Sequence, residues 1–298
     1  MTLSSDQIVE TLHVTMSAAY TKGLTSAKPQ WDKIATRIPS AGSENYYGGL
    51  KNLPGITEWV ADRQLAKLGS FGYSVKNKTW ESSIQIGREE IEDDQISIYG
   101  VIAEKYGEDV ALFPDSLSYG LLVNGFTETC LDGAPMFSSA HPLDDAGTTY
   151  SNVIGDPSVD LGAPWFLMDT SQVIKPIIYQ ERRPFVFKNM NPNEEYTWFE
   201  NAYVAGTDGR CNVGFGFPKT AIGSKATLNE ANYEAAIKAL GEMKRSNGTA
   251  LGVRPTTLVV GYANRAAALK LINREINSNG ESNIYYKDVD VVVSPYIL

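Results

Sequence analysis

Cysteine and histidine are nearly missing from this chain of 298 residues, which has only Cys130, Cys211, His13 and His141. Two isolated cysteines exclude a disulfide framework and the close pairs of a zinc site, and fit synthesis in a reducing compartment. Each reads as a small buried hydrophobe. With so little histidine, a metal centre would have to be built from carboxylates, for which no recognisable spacing occurs, so no metal and no cofactor is expected. Basic residues are also in deficit: 26 Lys and Arg face 35 Asp and Glu, a formal charge of -9. That balance argues against a protein whose task is to grip nucleic acid, because such binding neutralises phosphates with clustered cations. No apolar run approaches the roughly 18 residues of a membrane span. Residues 1 to 27, with Asp6, Glu10 and many Ser and Thr, lack the basic start and apolar stretch of a signal peptide. A soluble, cytoplasmic product is expected, with no membrane partner.

The length suits one elaborate domain or two ordinary ones, with ample surface to bury. Ile8, Leu12, Met16 and Ala19 or Tyr20 fall at helical spacing, and Pro29, Pro39, Gly42, Gly48 and Gly49 then punctuate an irregular stretch; this predicts an arm outside the core. Residues 56 to 87 suggest a long hairpin. The alternation of Tyr73 and Val75 changes parity before Trp80, Ile84 and Ile86, which predicts a bulge or twist near Asn77. Ile102, Tyr106, Val110, Phe113, Leu117 and Leu121 share one helical face, Pro114 should break or kink that helix, and Asn124-Gly125 should stop it. Between 163 and 217 the pattern turns to strands, at 165–167, 177–179, 185–187, 196–204 and 212–217. Asp208-Gly209 between the last two reads as a hairpin turn. Thr227 with Glu230 predicts a capping box opening a helix through Tyr233, Ile237, Leu240 and Met243. A strand at 257–260, a helix at 263–276 and a strand at 289–293 complete an α/β layer.

Catalytic constellations are hard to find. Gly214-Phe-Gly-Phe217 lacks the third glycine of a dinucleotide loop and runs into Pro218, so backbone crowding in a sheet explains its glycines better. Cys130 and His141, with Asp132 or Asp144 as orienting group, could form a nucleophile and base. Their setting among Gly133, Pro135 and Pro142 favours an ordinary hydrogen-bonded histidine in a turn-rich loop. There is no Gly-x-Ser-x-Gly elbow and no phosphate loop ending in Lys-Ser/Thr. No catalytic residue is expected, and the chain reads as a non-enzyme.

A series of phrases runs along nearly the whole chain: Arg37-Ile-Pro-Ser40, Glu44-Asn-Tyr46, Leu53-Pro-Gly55, Glu58-Trp-Val60, Asp62-Arg63, Gly72-Tyr73, Lys76-Asn-Lys78 and Glu90-Ile-Glu-Asp-Asp94. Cys130-x-Asp132-Gly133-x-Pro135-x-Phe137 closing on His141-Pro142 follows, then Asp169-Thr-Ser171, Lys175-Pro176, Gln180-Glu-Arg182 and Gly214-Phe-Gly-Phe217. Together they resemble the major head (capsid) subunit of Mu-like bacteriophages, the gpT family. The resemblance implies an α+β protein with the HK-97-type phage capsid fold. Its parts would be an N-terminal arm (1–41), an extended loop (56–88), a peripheral domain with a spine helix (42–55, 89–124 and 161–225), and an axial domain (125–160 and 226–298). Relative to the family, the blocks 161–225 and 226–298 stand in exchanged order.

The implied function is self-assembly, as hexamers and pentamers, into the icosahedral head around double-stranded DNA, with cytoplasmic residence in the host before assembly. Scaffold, portal and maturation protease are implied partners, and contact with packaged DNA should be weak and non-specific. A cargo-enclosing compartment shell of the same fold and a cysteine hydrolase are the alternatives. On the charged extended loop, Arg63, Lys67, Lys76, Lys78 and Arg88 are the expected contacts with carboxylates of adjacent subunits.

Overall fold

The computed structural model describes residues 5–47, 72–92, 96–144, 147–189, 199–277 and 280–298. In chain order, helix α1 (Ser5–Ser26) leads to strands β1 (Ala35–Pro39), β2 (Glu44–Tyr46), β3 (Ser74–Lys76) and β4 (Lys78–Gly87). Short α2 (Arg88–Glu92) and long α3 (Ile96–Asn124) follow, then β5 (His141–Pro142), β6 (Thr149–Tyr150) and β7 (Val153–Ile154). Next come β8 (Trp165–Met168), β9 (Ile177–Asn189), β10 (Ala202–Phe215) and β11 (Ala221–Ser224). The chain finishes with α4 (Glu230–Gly241), β12 (Thr257–Val260), α5 (Tyr262–Ala268) and β13 (Asp290–Val293).

Two sheets organise these elements. One is four-stranded in the order β1-β9-β10-β4, and the other five-stranded in the order β13-β12-β8-β11-β7. All of β8, β11 and β12 is buried, as expected of strands covered on both faces, which read as continuous apolar runs instead of alternating ones. Trp165 and Leu167 point toward Tyr233, Leu240 and Ile272 of the helical layer. Phe166 and Met168 point the other way, into a cluster with Tyr119, Phe137, Ile177 and Phe215 that joins the second sheet to the first and to α3. The strands β8 and β11, from the 161–225 block, thus share a sheet with β12 and β13, so sheet membership does not follow the division at 161 and 225.

Several expectations need correction. Residues 5–26 and 35–39 belong to the packed structure: Leu12, Met16 and Tyr20 are buried against Tyr99 and Ala103 of α3 and Ile86 and Ala205 of the sheet. Ala35–Pro39 is an edge strand parallel to β9. Pro114 does not end its helix, which runs unbroken from Ile96 to Asn124. Proline there forgoes one backbone bond, but packing of Phe113 and Leu117 against the core cluster holds the chain helical through it. Asp208-Gly209 is no hairpin turn, for β10 runs straight through it to Phe215. A bulge shifts the pairing with β9 between Asp208 and Cys211, opposite Pro184, whose missing N–H is tolerated at such an irregularity. Gly209 is needed because a side chain there would run into the Phe185 ring at 2.7 Å. The predicted strand at 196–204 begins only at Ala202, and residues 196–198 lie outside the described ones. At α4 the cap is Asn229, whose side chain accepts the Asn232 N–H, so the Thr227 capping box does not form. The helix predicted over 263–276 is α-helical to Ala268 and then widens into a π turn at Leu269–Asn273.

Other expectations hold. Helix α3 stops at Asn124. The parity change falls on Asn77, where the chain leaves β3, paired with β2, and enters β4, paired with β10. In Gly214-Phe-Gly-Phe217, a side chain at Gly214 would collide with Val75 and one at Gly216 with the Lys175 carbonyl.

Asn77 belongs to a buried polar network that fastens this crossing. Gln180 donates to the Val75 carbonyl at 2.9 Å and to Asn77 Oδ1 at 2.8 Å, and it accepts from the Tyr47 hydroxyl at 2.8 Å. Asn77 in turn donates to Ser40 Oγ at 2.8 Å and the Gly42 carbonyl at 3.0 Å. Gln180→Leu keeps the volume but strands three polar groups in a buried setting, at about 1–3 kcal/mol each before relaxation. A loss of about 3 kcal/mol is expected in urea unfolding, and an unchanged midpoint would show that the network contributes nothing.

Candidate functional site

Of the five expected contact residues, Arg63 and Lys67 lie outside the described residues. Lys76 and Lys78 are exposed on either side of the buried Asn77, and Lys78 Nζ stands 5.9 Å from the centre of the Trp80 ring. Arg88 is half-buried at the far end of β4, where its N–H donates to the Asn201 carbonyl at 3.0 Å. A strand advances about 3.3 Å per residue, so the ten residues of β4 hold Arg88 apart from the two lysines. The structure therefore groups Lys76 with Lys78 and places Arg88 elsewhere.

The loop 130–152 gathers the chemistry-bearing side chains. Cys130 Sγ donates to Asp132 Oδ1 at 3.2 Å, and His141 Nδ1 lies 2.8 Å from Asp132 Oδ2. On its other side, His141 Nε2 faces Asn152 Oδ1 at 3.1 Å and the Met136 carbonyl at 3.3 Å. Cys130 and His141 are buried. Burial pushes the Cys130 thiol up to about 12. Burial also opposes ionisation of Asp132, but hydrogen bonds and charge from His141, with the Cys130 and Ala134 donors, outweigh it and hold the carboxyl below its ordinary value. The thiol is turned to the carboxylate and both imidazole nitrogens have other partners, so this is not a nucleophile-and-base pair. His141 is the hydrogen-bonded loop histidine expected from the sequence. Asp144, the other suggested orienting group, instead accepts the Thr148 N–H at 3.0 Å.

Asp132 also forms part of the wall of a cavity of about 490 Å³, whose lining includes Leu131, Tyr150, Ile174, Phe217 and Lys219. Burial lowers the Lys219 pKa. Its ammonium donates to the Lys244 carbonyl at 2.9 Å and sits 5.0 Å from the centre of the Tyr150 ring.

A long helix laid on a four-stranded sheet, continuous through one core with a five-stranded sheet and its helices, is the architecture of a tailed-phage shell subunit. A chain of the procapsid of bacteriophage JBD30 superposes with a TM-score of 0.83 and 33% identity, covering 97% of this chain and 98% of that one. The JBD30 capsid gives 0.79 at 25% identity, covering 92% of each. The sequence matches the model of the Mu-like prophage major head subunit gpT over residues 9–297. It is 35% identical to the Mu-like prophage FluMu major head subunit of Haemophilus influenzae, over 91% of this chain and 90% of that protein. With the major capsid protein of Escherichia phage Mu the identity is 33%, over 92% and 93%. The chain belongs to the Mu-like major head subunit family and is a structural capsid protein. These matches extend over nearly the full length of both partners and do not confirm an exchanged order of the two C-terminal blocks.

Proposed function

We propose that copies of this chain close into an icosahedral head, as hexamers and pentamers, around a double-stranded DNA genome. The observation that carries this reading is the end-to-end likeness to a procapsid chain at 33% identity. In such a shell each contact can be weak, because it is repeated by symmetry. The four-stranded sheet with α3 would serve as the peripheral region and spine, the five-stranded sheet with α4 and α5 as the axial region, and 56–88 as the extended loop, rooted in the four-stranded sheet through β4. Scaffold, portal and maturation protease would be its partners during assembly in the host cytoplasm. The formal charge of -9 favours weak, non-specific contact with packaged DNA, since tight binding would need clustered cations. Expression of the chain alone, followed by sedimentation velocity and negative-stain microscopy of any fast fraction, tests assembly. Shells, tubes or rings support it, whereas a species that stays monomeric even with a scaffold would refute it.

Exposed Lys76 and Lys78, with Arg63, Lys67 and Arg88, would meet carboxylates of neighbouring subunits. Arg63→Glu with Lys76→Glu should abolish shells while leaving the unfolding free energy from urea titration within about 0.5 kcal/mol of the parent. Normal shells from the double variant would sink the assignment.

A further inference from the structure

We propose that Cys130, Asp132 and His141 bind a divalent transition metal of the zinc type, with the fourth coordination position open to the neighbouring cavity. The three ligand atoms already lie within 4.8 Å of one another, and the hydrogen bonds around them assign the histidine its role. Asn152 Nδ2 donates to the Met136 carbonyl at 2.7 Å and the Pro218 carbonyl at 3.0 Å. That fixes the amide, so Asn152 Oδ1 is the atom that accepts the Ser138 N–H at 2.9 Å and faces His141 Nε2. Two acceptors, this oxygen and the Met136 carbonyl, therefore surround Nε2, which must carry the hydrogen. Nδ1 is left facing the carboxylate of Asp132 at 2.8 Å, and two lone pairs at that separation require a positive species between them. An imidazole anchored through one N–H to carbonyl oxygens and aimed by its other nitrogen at a carboxylate is how proteins orient a metal-ligating histidine.

Cys130 identifies the class of ion. A proton could join His141 to Asp132 while the Cys130 thiol donates to the second carboxylate oxygen at 3.2 Å; what points beyond that to an ion is the convergence of sulfur, nitrogen and carboxylate within 4.8 Å. A thiolate, a carboxylate and a neutral imidazole together neutralise a dication in a buried place, and sulfur with nitrogen selects zinc, cobalt or cadmium over magnesium or calcium. Tetrahedral ligands of zinc stand about 3.3 to 3.7 Å apart. The 2.8 and 3.2 Å separations, which are to different oxygens of Asp132, would open by up to about half an ångström, and sulfur and Nδ1, within 4.8 Å of each other, would settle into the same range. On binding, the sulfur–metal and nitrogen–metal bonds replace the S–H bond and the proton shared by His141 and Asp132, and both protons leave to solvent past Asp132, which lines the cavity. Of the three ligands it is Asp132 that lines that cavity, so the ion and a water as fourth ligand would enter on its side. The spacing Cys-x-Asp followed by a histidine on β5 matches no familiar motif, which is why the sequence raised no expectation of a metal.

The test uses the full-length chain freed of metal by chelation. Titration with Co2+ should give one equivalent of tetrahedral visible bands with a thiolate-to-cobalt charge-transfer absorption, and excess Zn2+ should raise the Tm by about 5 °C. Both effects should vanish in Cys130→Ala and persist in Cys211→Ala. X-ray absorption on the zinc-loaded parent should show one sulfur at about 2.3 Å, a readout that survives even if the variants misfold. No stoichiometric uptake, a sulfur-free shell, or a charge-transfer band retained in folded Cys130→Ala would each overturn the proposal; in the first case His141 and Asp132 are joined by a proton alone.

Discussion

Trp165→Ala should lower the stability of the subunit by about 3–5 kcal/mol, the usual loss for emptying a buried aromatic site. Trp165 is fully buried on the central strand of the five-stranded sheet, packed in a cluster with Tyr233, Leu240, Leu258 and Ile272. It lies under helices on one face while its neighbour Phe166 anchors the opposite face, so the cavity cannot collapse without moving a strand that both cores share. Its indole N–H also donates to the Ala226 carbonyl at 2.8 Å, a bond spanning 61 residues, and alanine would leave that acceptor unpaired. Since a whole domain is stable by only about 5–15 kcal/mol, soluble yield should fall sharply. Urea unfolding should show a lower midpoint at unchanged slope. Trp165→Phe, which keeps most of the volume and loses the hydrogen bond, should cost less than half as much. A loss below about 1 kcal/mol for alanine would mean that the sheet tolerates a hole at its centre, contrary to the two-faced packing described above.

The same two-faced burial explains what the sequence could and could not reveal. Strands covered on both sides carry continuous apolar runs, and 165–167 and 257–260 are legible as strands, the first extending one residue further to Met168. Which sheet each joins was not legible, because a run without alternation does not say which neighbour it faces. Asp208-Gly209 misled for a local reason. The dipeptide suits a tight turn, yet here glycine is demanded by the Phe185 ring, and the irregularity is absorbed as a bulge opposite Pro184. Pro114 misled in the opposite direction, since its local cost is outweighed by tertiary packing that no single-strand or single-helix rule includes. The candidate metal cluster draws on a loop and a two-residue strand. Only the fold turns Nδ1 of His141 toward Asp132, through an amide at Asn152 that is itself held by Pro218, and no periodicity carries that information. The burial of α1 escaped because its apolar positions can be read as easily in an arm as in a core, until the partner surface is known.

That partner surface makes an unusual demand on two glycines. Alanine at Gly107 of α3 would place its methyl group inside the Tyr20 carbonyl of α1 and 2.7 Å from the Leu24 nitrogen. Alanine at Gly23 of α1 would strike the Glu104 carbonyl in the same way. These are contacts between helix backbones, so no side chain can swing aside, and the helices would have to separate by more than an ångström. Separation would loosen Leu12, Met16 and Tyr20 from their buried places, each worth about 1.5–3 kcal/mol when fully buried. It would also break the Tyr20 hydroxyl contact with Thr207 at 3.3 Å and the stacking of its ring on Phe187 at 5.1 Å. Gly107→Ala is therefore expected to cost about 3 kcal/mol, at the upper end for overpacking, and to speed proteolysis within residues 5–26 at least tenfold while the two sheets stay folded. Gly120, on the same helix, has no atom within 4 Å of the position its Cβ would take. There the identical substitution should stabilise by about 0.5–1 kcal/mol, the ordinary helical preference for alanine. Opposite signs for one substitution at two places on one helix would establish that α1 is held by backbone contact, whereas equal and small effects would show that the helices part without cost.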